Sequence, residues 1–176
     1  MSRIGKKEII IPENVVVCIN NNIINITGQY GTLIQNYNKD IEIIVKNNKI
    51  FLLLLNNNNK NYYGLMRSLI QNMIIGVNKK FKRVLILEGV GYKFKLIENN
   101  IYIYVGFTHV VKFNFSNDIS IKLDSPIRIQ IEGINIQKVT QFAAQIYNIC
   151  PPEPYKGKGI LFENQKIIKK IGKKGK

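Results

Sequence analysis

One pattern occurs twice in this chain and leaves few folds open. Ile41, Ile43 and Val45 alternate with other residues, Asn47-Asn48 supply turn residues, and Ile50, Leu52 and Leu54 alternate again. Ile119, Ile121 and Leu123 repeat the pattern, followed by Asp124-Ser125-Pro126 and by Ile127, Ile129 and Ile131. A period of two puts apolar side chains on one face of a strand, and two such strands about a short turn make a hairpin. After each hairpin the period changes. Leu65, Met66, Leu69, Ile70 and Met73 recur at three and four residues, which predicts a helix from about Tyr62 to Ile75, with Gly76 as its stop. Val139, Phe142, Ala143, Ile146 and Ile149 share one face of a second helix, with Asn135 as N-cap and Pro151-Pro152 as terminator. Matching positions of the two copies lie 77 to 78 residues apart. Hairpin then helix, twice, predicts an α+β fold of two tandem duplicated domains, each a small antiparallel sheet packed on one helix. The domains take residues 1–80 and 81–176, with the boundary near Asn78–Lys82.

Further strands fill the remainder. Ile9–Ile19 is broken at Pro12-Glu13-Asn14, and Ile23–Thr27 and Thr32–Tyr37 flank the turn Gly28-Gln29-Tyr30-Gly31. In the second half the strands are Phe81–Leu87, Tyr92–Glu98, Ile101–Val105 and His109–Phe115. Gly89-Val90-Gly91 lacks the third glycine of a dinucleotide loop and is followed by a strand, so it reads as a hairpin or bulge pair.

Charge narrows the partners. The chain carries 26 Lys+Arg against 11 Asp+Glu, a net charge of +15. Packing does not require such a surplus, and a polyanion does. No apolar run approaches the roughly 20 residues of a membrane span, so RNA is favoured over a membrane. The charge is uneven: the stretch from Asn14 to Lys60 carries only four lysines, so the first half is expected to touch less RNA and to face solvent or a neighbouring protein. Cys18 and Cys150 fit no metal spacing and read as free, mostly buried thiols of a reducing compartment. His109, the single histidine, has no carboxylate within a few residues, so catalysis has no general base in view. No cofactor, metal site or small-molecule substrate is expected.

The richest segment is Pro151-Pro152-Glu153-Pro154-Tyr155-Lys156-Gly157-Lys158-Gly159-Ile160. Its prolines stiffen it, and Gly157 and Gly159 would let the backbone approach a phosphate. Lys156 and Lys158, two apart, would point the same way in an extended chain. Tyr155 offers a stacking face or a hydroxyl. Lys166, Lys169, Lys170, Lys173, Lys174 and Lys176 continue the basic run.

PPEPYKGKGI resembles the signature segment of the bacterial-type ribosomal protein L six family. MSRIGKK, RSLIQNMIIGV, LEGVGYKFKL, VGFTH and IIKKIGKKGK resemble the same family in the same order, so the resemblance spans essentially the whole chain. Arg3 and Lys93, within the first and third of these blocks, are also expected among the RNA-binding residues. The resemblance implies a structural constituent of the large ribosomal subunit, bound to large-subunit ribosomal RNA close to the sarcin–ricin loop where translation factors dock, beside neighbouring ribosomal proteins. It implies no catalysis and no bound cofactor. The family commonly has Arg where this chain has Cys150 and Leu161, so two cationic contacts are missing here. The alternative function is a free RNA-binding regulator or chaperone acting off the ribosome. The N-terminus shows neither a signal core nor a presequence, and Lys, Ile and Asn are abundant, as in an AT-rich genome. Together with the intact signature, these favour a plastid ribosome of the apicoplast type, with a mitochondrion or bacterial cytoplasm as alternatives.

Overall fold

Alternating apolar positions become strands, and the asparagines become the tight turns that join them. The computed structural model describes residues 4–55 and 60–172. The chain forms two units: one runs to Phe81 and takes in Ile134–Ile136, and the other holds Lys82–Gly133 and continues from Gln137.

The first unit comprises β1 (Ile9–Ile10), β2 (Val16–Asn20), β3 (Ile23–Gly28), β4 (Gly31–Asn36), β5 (Ile41–Lys46), β6 (Lys49–Leu54) and α1 (Lys60–Asn78). Asn47 and Asn48 both adopt positive φ (50° and 57°) between β5 and β6, and Asn21 and Asn22 do so between β2 and β3. Two-residue turns with both φ positive match the twist of the strands they join, and asparagine tolerates that conformation well. The strands form two antiparallel three-stranded sheets, β2-β3-β4 and β1-β6-β5. Their inner faces (Ile24, Ile26, Ile43, Ile50, Leu52) share one core with Met66, Ile70, Ile74 and Val77 of α1. The Tyr63 hydroxyl donates to the Leu52 carbonyl at 2.9 Å, which satisfies a buried polar group.

Helix α1 does not stop at Gly76 but continues to Asn78. Gly76 is a close-approach glycine: a Cβ there would lie 2.0 Å from the Ile134 carbonyl oxygen and 2.9 Å from the Phe81 ring.

The second unit is built from β7 (Phe81–Glu88), β8 (Lys93–Ile97), β9 (Asn100–Tyr104), β10 (Val111–Asn114), β11 (Ile119–Ser125), β12 (Arg128–Gly133), α2 (Ile136–Tyr147) and β13 (Gly159–Phe162). One sheet has the order β11-β12-β7-β13 and the other β10-β9-β8. Val139, Phe142, Ala143 and Ile146 of α2 close this core over Leu85, Ile103, Ile129 and Ile131. Burying side chains of this size contributes about 1.5–3 kcal/mol each for the larger ones.

Three expectations change. Each half divides its strands between two sheets instead of gathering them in one, with β4 not paired to β5 and β10 not paired to β11. No sheet among the described residues takes strands from both halves. The repeat spacing also shifts. Ile43 pairs with Leu52 and Ile121 with Ile131, so the first strands stand 78 residues apart and the second strands 79, not 77. A bulge between Leu123 and Ser125 accounts for the extra residue and leaves Ile127 exposed at the turn. Finally, Cys18 is exposed and Cys150 half-buried, because Cys18 falls on the solvent side of the β2 alternation.

Candidate nucleic-acid interface

Helix α2 closes its last turn before the proline pair. The amides of Asn148 and Ile149 reach back to the carbonyls of Ala144 (2.9 Å) and Ile146 (3.2 Å), so Pro151-Pro152 bars continuation without being the stop itself. The chain then makes a loop closed by its own backbone. Ile160 N donates to Cys150 O (2.8 Å), Glu153 N to Lys158 O (2.8 Å) and Gly157 N to Glu153 O (2.9 Å). Tyr155, Lys156 and Lys158 are exposed on it. The segment is a turn and not an extended strand: Gly157 has φ +76°, which breaks the alternation that would aim Lys156 and Lys158 the same way.

Gly157 and Gly159 are buried against protein. A Cβ on Gly159, where φ is +146°, would lie 2.7 Å from Pro152 Cα and 2.9 Å from the carbonyl oxygens of Cys150 and Pro151. A Cβ on Gly157 would meet Lys169 Cε at 3.3 Å. The glycines shape the loop from within. Gly159 opens β13, whose Ile160 and Leu161 are buried. Leu161 is buried, so that position offers no outward contact in this chain.

The tail folds back on this loop. Phe162 N donates to Gln165 Oε1 (3.3 Å), Gln165 Nε2 to the Tyr147 hydroxyl (3.0 Å) and Lys170 N to Pro154 O (2.8 Å). Lys169 and Lys170 are thereby brought beside the turn that carries Lys156 and Lys158, while Lys166 is exposed at the start of the same run. Ion pairs in this unit join Lys122 to Glu132, Arg128 to Asp124 and Glu163, and Lys138 to Asp118. Among the described residues, none involves Lys156, Lys158, Lys166, Lys169 or Lys170. Arg3, Lys173, Lys174 and Lys176 lie outside the described residues.

Lys93 is not part of the loop. It opens β8 on the outer face of β10-β9-β8, opposite Tyr104. Lys95, Tyr102, Tyr104 and Lys112 share that face, and the sequence reading missed all four. The signal was present in the alternation of KFKLI and IYIY, but it names a surface only once the strands are paired. Tyr92, just before β8, lodges its ring where Gly89 and Gly106 lack side chains; a Cβ on Gly89 would lie 2.7 Å from that ring. The Gly89-Val90-Gly91 turn therefore makes room for an aromatic ring. Burial, then the neighbouring Cys150 sulfur and the Glu153 charge, push the Tyr92 phenol above its ordinary value of 10.0. A raised folded value keeps its stabilising contribution intact below pH 10 and loses it as pH climbs through the folded value. Thermal unfolding of Tyr92→Phe followed above pH 10 should show a shallower alkaline decline than the parent; an identical decline would show that Tyr92 is not involved.

The whole chain, compared with known proteins, matches the family model described as Ribosomal protein L6 twice, at residues 11–80 and 88–163. The chain belongs to the ribosomal protein L6 family. It is a structural ribosomal protein and not an enzyme. Similar relatives include the large ribosomal subunit proteins uL6 of Borreliella afzelii (38% identical, covering 99% of this chain and 98% of the relative), Shouchella clausii (37%, all of both) and Streptococcus equi subsp. zooepidemicus (38%, all of both). Each matched window takes in one hairpin and the helix after it, so the duplicated α+β reading stands. The second window ends at 163, and the lysines of the tail follow it.

Proposed function

We propose that this chain is a constituent of the large ribosomal subunit that grips the subunit's RNA through the 150–160 loop and the tail folded against it. One observation carries the reading: Lys156, Lys158, Lys166, Lys169 and Lys170 are exposed, unneutralised by any described carboxylate, and ordered around a loop closed by its own hydrogen bonds. Phosphates bound there release counterions, which favours association and makes it salt-dependent. The uL6 names of the relatives support the large-subunit assignment, and the family resemblance extends it to the sarcin–ricin neighbourhood where translation factors dock. The first unit, in which the stretch from Asn14 to Lys60 carries only four lysines, has apolar residues on its outer sheet faces, among them Ile10, Val16, Ile34 and Leu53. This supports its facing a neighbouring ribosomal protein more than RNA. The plastid preference rested on coding bias and an intact signature; the relatives named above are bacterial and lend it no support.

Lys156→Ala with Lys158→Ala should weaken binding to a large-subunit RNA fragment and reduce the salt slope by about one to two units. Thermal unfolding should hardly move, because both side chains are exposed. An unchanged slope would remove these lysines from the interface. Sedimentation of a lysate should place the chain with the large subunit; finding it only in free fractions would favour an off-ribosome RNA regulator instead.

A further inference from the structure

The outer face of β10-β9-β8 is built from strands that include no residue of the 150–160 loop, although Tyr92, next to Lys93, neighbours Cys150 and Glu153. Its rows follow from the strand register: Lys93 opposite Tyr104, and Lys95 opposite Tyr102 with Lys112 on the other side. The inner face holds Phe94, Ile101 and Ile103, which are buried in the core. The sheet is therefore rigidly backed, and its outer residues are fixed in a grid set by strand spacing. None of the three strands contains an acidic residue. No ion pair among the described residues involves Lys93, Lys95 or Lys112, although the neighbouring sheet neutralises Lys122 and Arg128 internally. These three ammonium groups instead lie over aromatic rings. Lys93 Nζ is 5.1 Å and Lys95 Nζ 5.6 Å from the centroid of Tyr104, and Lys112 Nζ is 5.9 Å from that of Tyr102.

We propose that this face is a second RNA-contact surface, one that takes an unpaired stretch of ribosomal RNA by stacking bases on Tyr102 and Tyr104 while Lys93, Lys95 and Lys112 take its phosphates. The proposal rests on the ribosomal RNA-binding reading above and adds a site and a conformational class of RNA to it. The chemistry decides between polyanions. In the free protein each tyrosine ring is covered by an ammonium group, a contact that is weak at an exposed site. An RNA strand supplies a replacement for both halves of that contact: a phosphate for the ammonium and a base for the ring. A lipid headgroup supplies only the first. A duplex also supplies only the first, because its bases are already stacked and its readable groove is shallow. Aromatic residues on the central strand of a small sheet, flanked by cations, suit unpaired bases, since every base has a face to stack and none need be read by sequence.

The test uses the full chain and two variants, Lys93→Gln/Lys95→Gln/Lys112→Gln and Tyr102→Leu/Tyr104→Leu, with Lys156→Ala/Lys158→Ala for comparison. Fluorescence anisotropy over a salt series measures binding to short oligo(U), to an RNA duplex and to phosphatidylserine vesicles, with thermal unfolding recorded for each variant. The tyrosine variant should lose about tenfold in oligo(U) affinity with its salt slope and its duplex affinity kept. The lysine variant should lower the oligo(U) slope by about two units. Unchanged oligo(U) binding in both variants, with binding lost only on Lys156→Ala/Lys158→Ala, overturns the second surface and leaves the loop reading intact. RNA binding insensitive to all three variants overturns both readings. Vesicle binding that depends on Lys93, Lys95 and Lys112 while oligo(U) binding does not assigns the face to a membrane and overturns the proposal. If leucine at 102 and 104 unfolds the unit, the lysine variant, altered only at exposed positions, still decides through its salt slope.

Discussion

Gly159→Ala loses about 3 kcal/mol of stability in the C-terminal unit, measured by urea unfolding, without a specific loss of RNA binding in the protein that remains folded. Two costs add. Position 159 has φ +146°, a conformation that L side chains adopt only at about 1–3 kcal/mol. The new Cβ also falls 2.7 Å from Pro152 Cα and 2.9 Å from two carbonyl oxygens. These are backbone atoms tied by the Ile160-to-Cys150 hydrogen bond, so they cannot yield as a flexible side chain would, and overpacking of this kind costs about 1–3 kcal/mol. The damage spreads because Gly159 is the first residue of β13, whose pairing with β7 keeps Ile160 and Leu161 buried. The opposite pattern, full stability with selectively weakened RNA binding, would mean that the glycine is there to admit RNA.

The second large effect reverses the usual sign of a substitution. Gly→Ala inside a helix ordinarily gains about 0.5–1 kcal/mol from backbone entropy. Gly76 lies inside α1, so propensity alone favours Gly76→Ala. The geometry does not: the methyl would sit 2.0 Å from the Ile134 carbonyl oxygen, 3.1 Å from its carbon and 2.9 Å from the Phe81 ring. Relief requires the helix to move away from that carbonyl and so to loosen Ile70, Met73, Ile74 and Val77 from the first core. A net loss of about 3 kcal/mol is expected, read as a lower midpoint in chemical unfolding. A variant as stable as the parent would show that α1 is free to shift.

Much of this molecule is written in local patterns. Alternation with a period of two marked nearly every strand, because a half-buried strand must show it, and the change to three and four marked α1 and α2. Asn47-Asn48 specified a turn through asparagine's tolerance of positive φ. The segment from Pro151 to Ile160 stood out by composition, and Tyr155, Lys156 and Lys158 are indeed exposed. Local signals ended where a residue's meaning depends on what lies opposite. Gly76 looked like a helix stop, since a glycine that ends a helix and one that admits a carbonyl are the same letter. Gly157 and Gly159 read as openings toward RNA, although the atoms that need the space belong to Pro152, Cys150 and the tail. The repeat seemed to be 77 to 78 residues because a bulge at Leu123–Ser125 is visible only in the register of the pairing. Lys95, Tyr102, Tyr104 and Lys112 are ordinary alternation in three separate strands. Only pairing those strands, with Phe94 and Ile103 held in the core beneath, turns their other faces into one lysine and tyrosine surface. Sequence by itself determined the elements and the sign of the charge, since both follow from neighbours in the chain. The tertiary structure decided which cations stay unneutralised and which glycines are structural, since both depend on residues brought together across long stretches of chain.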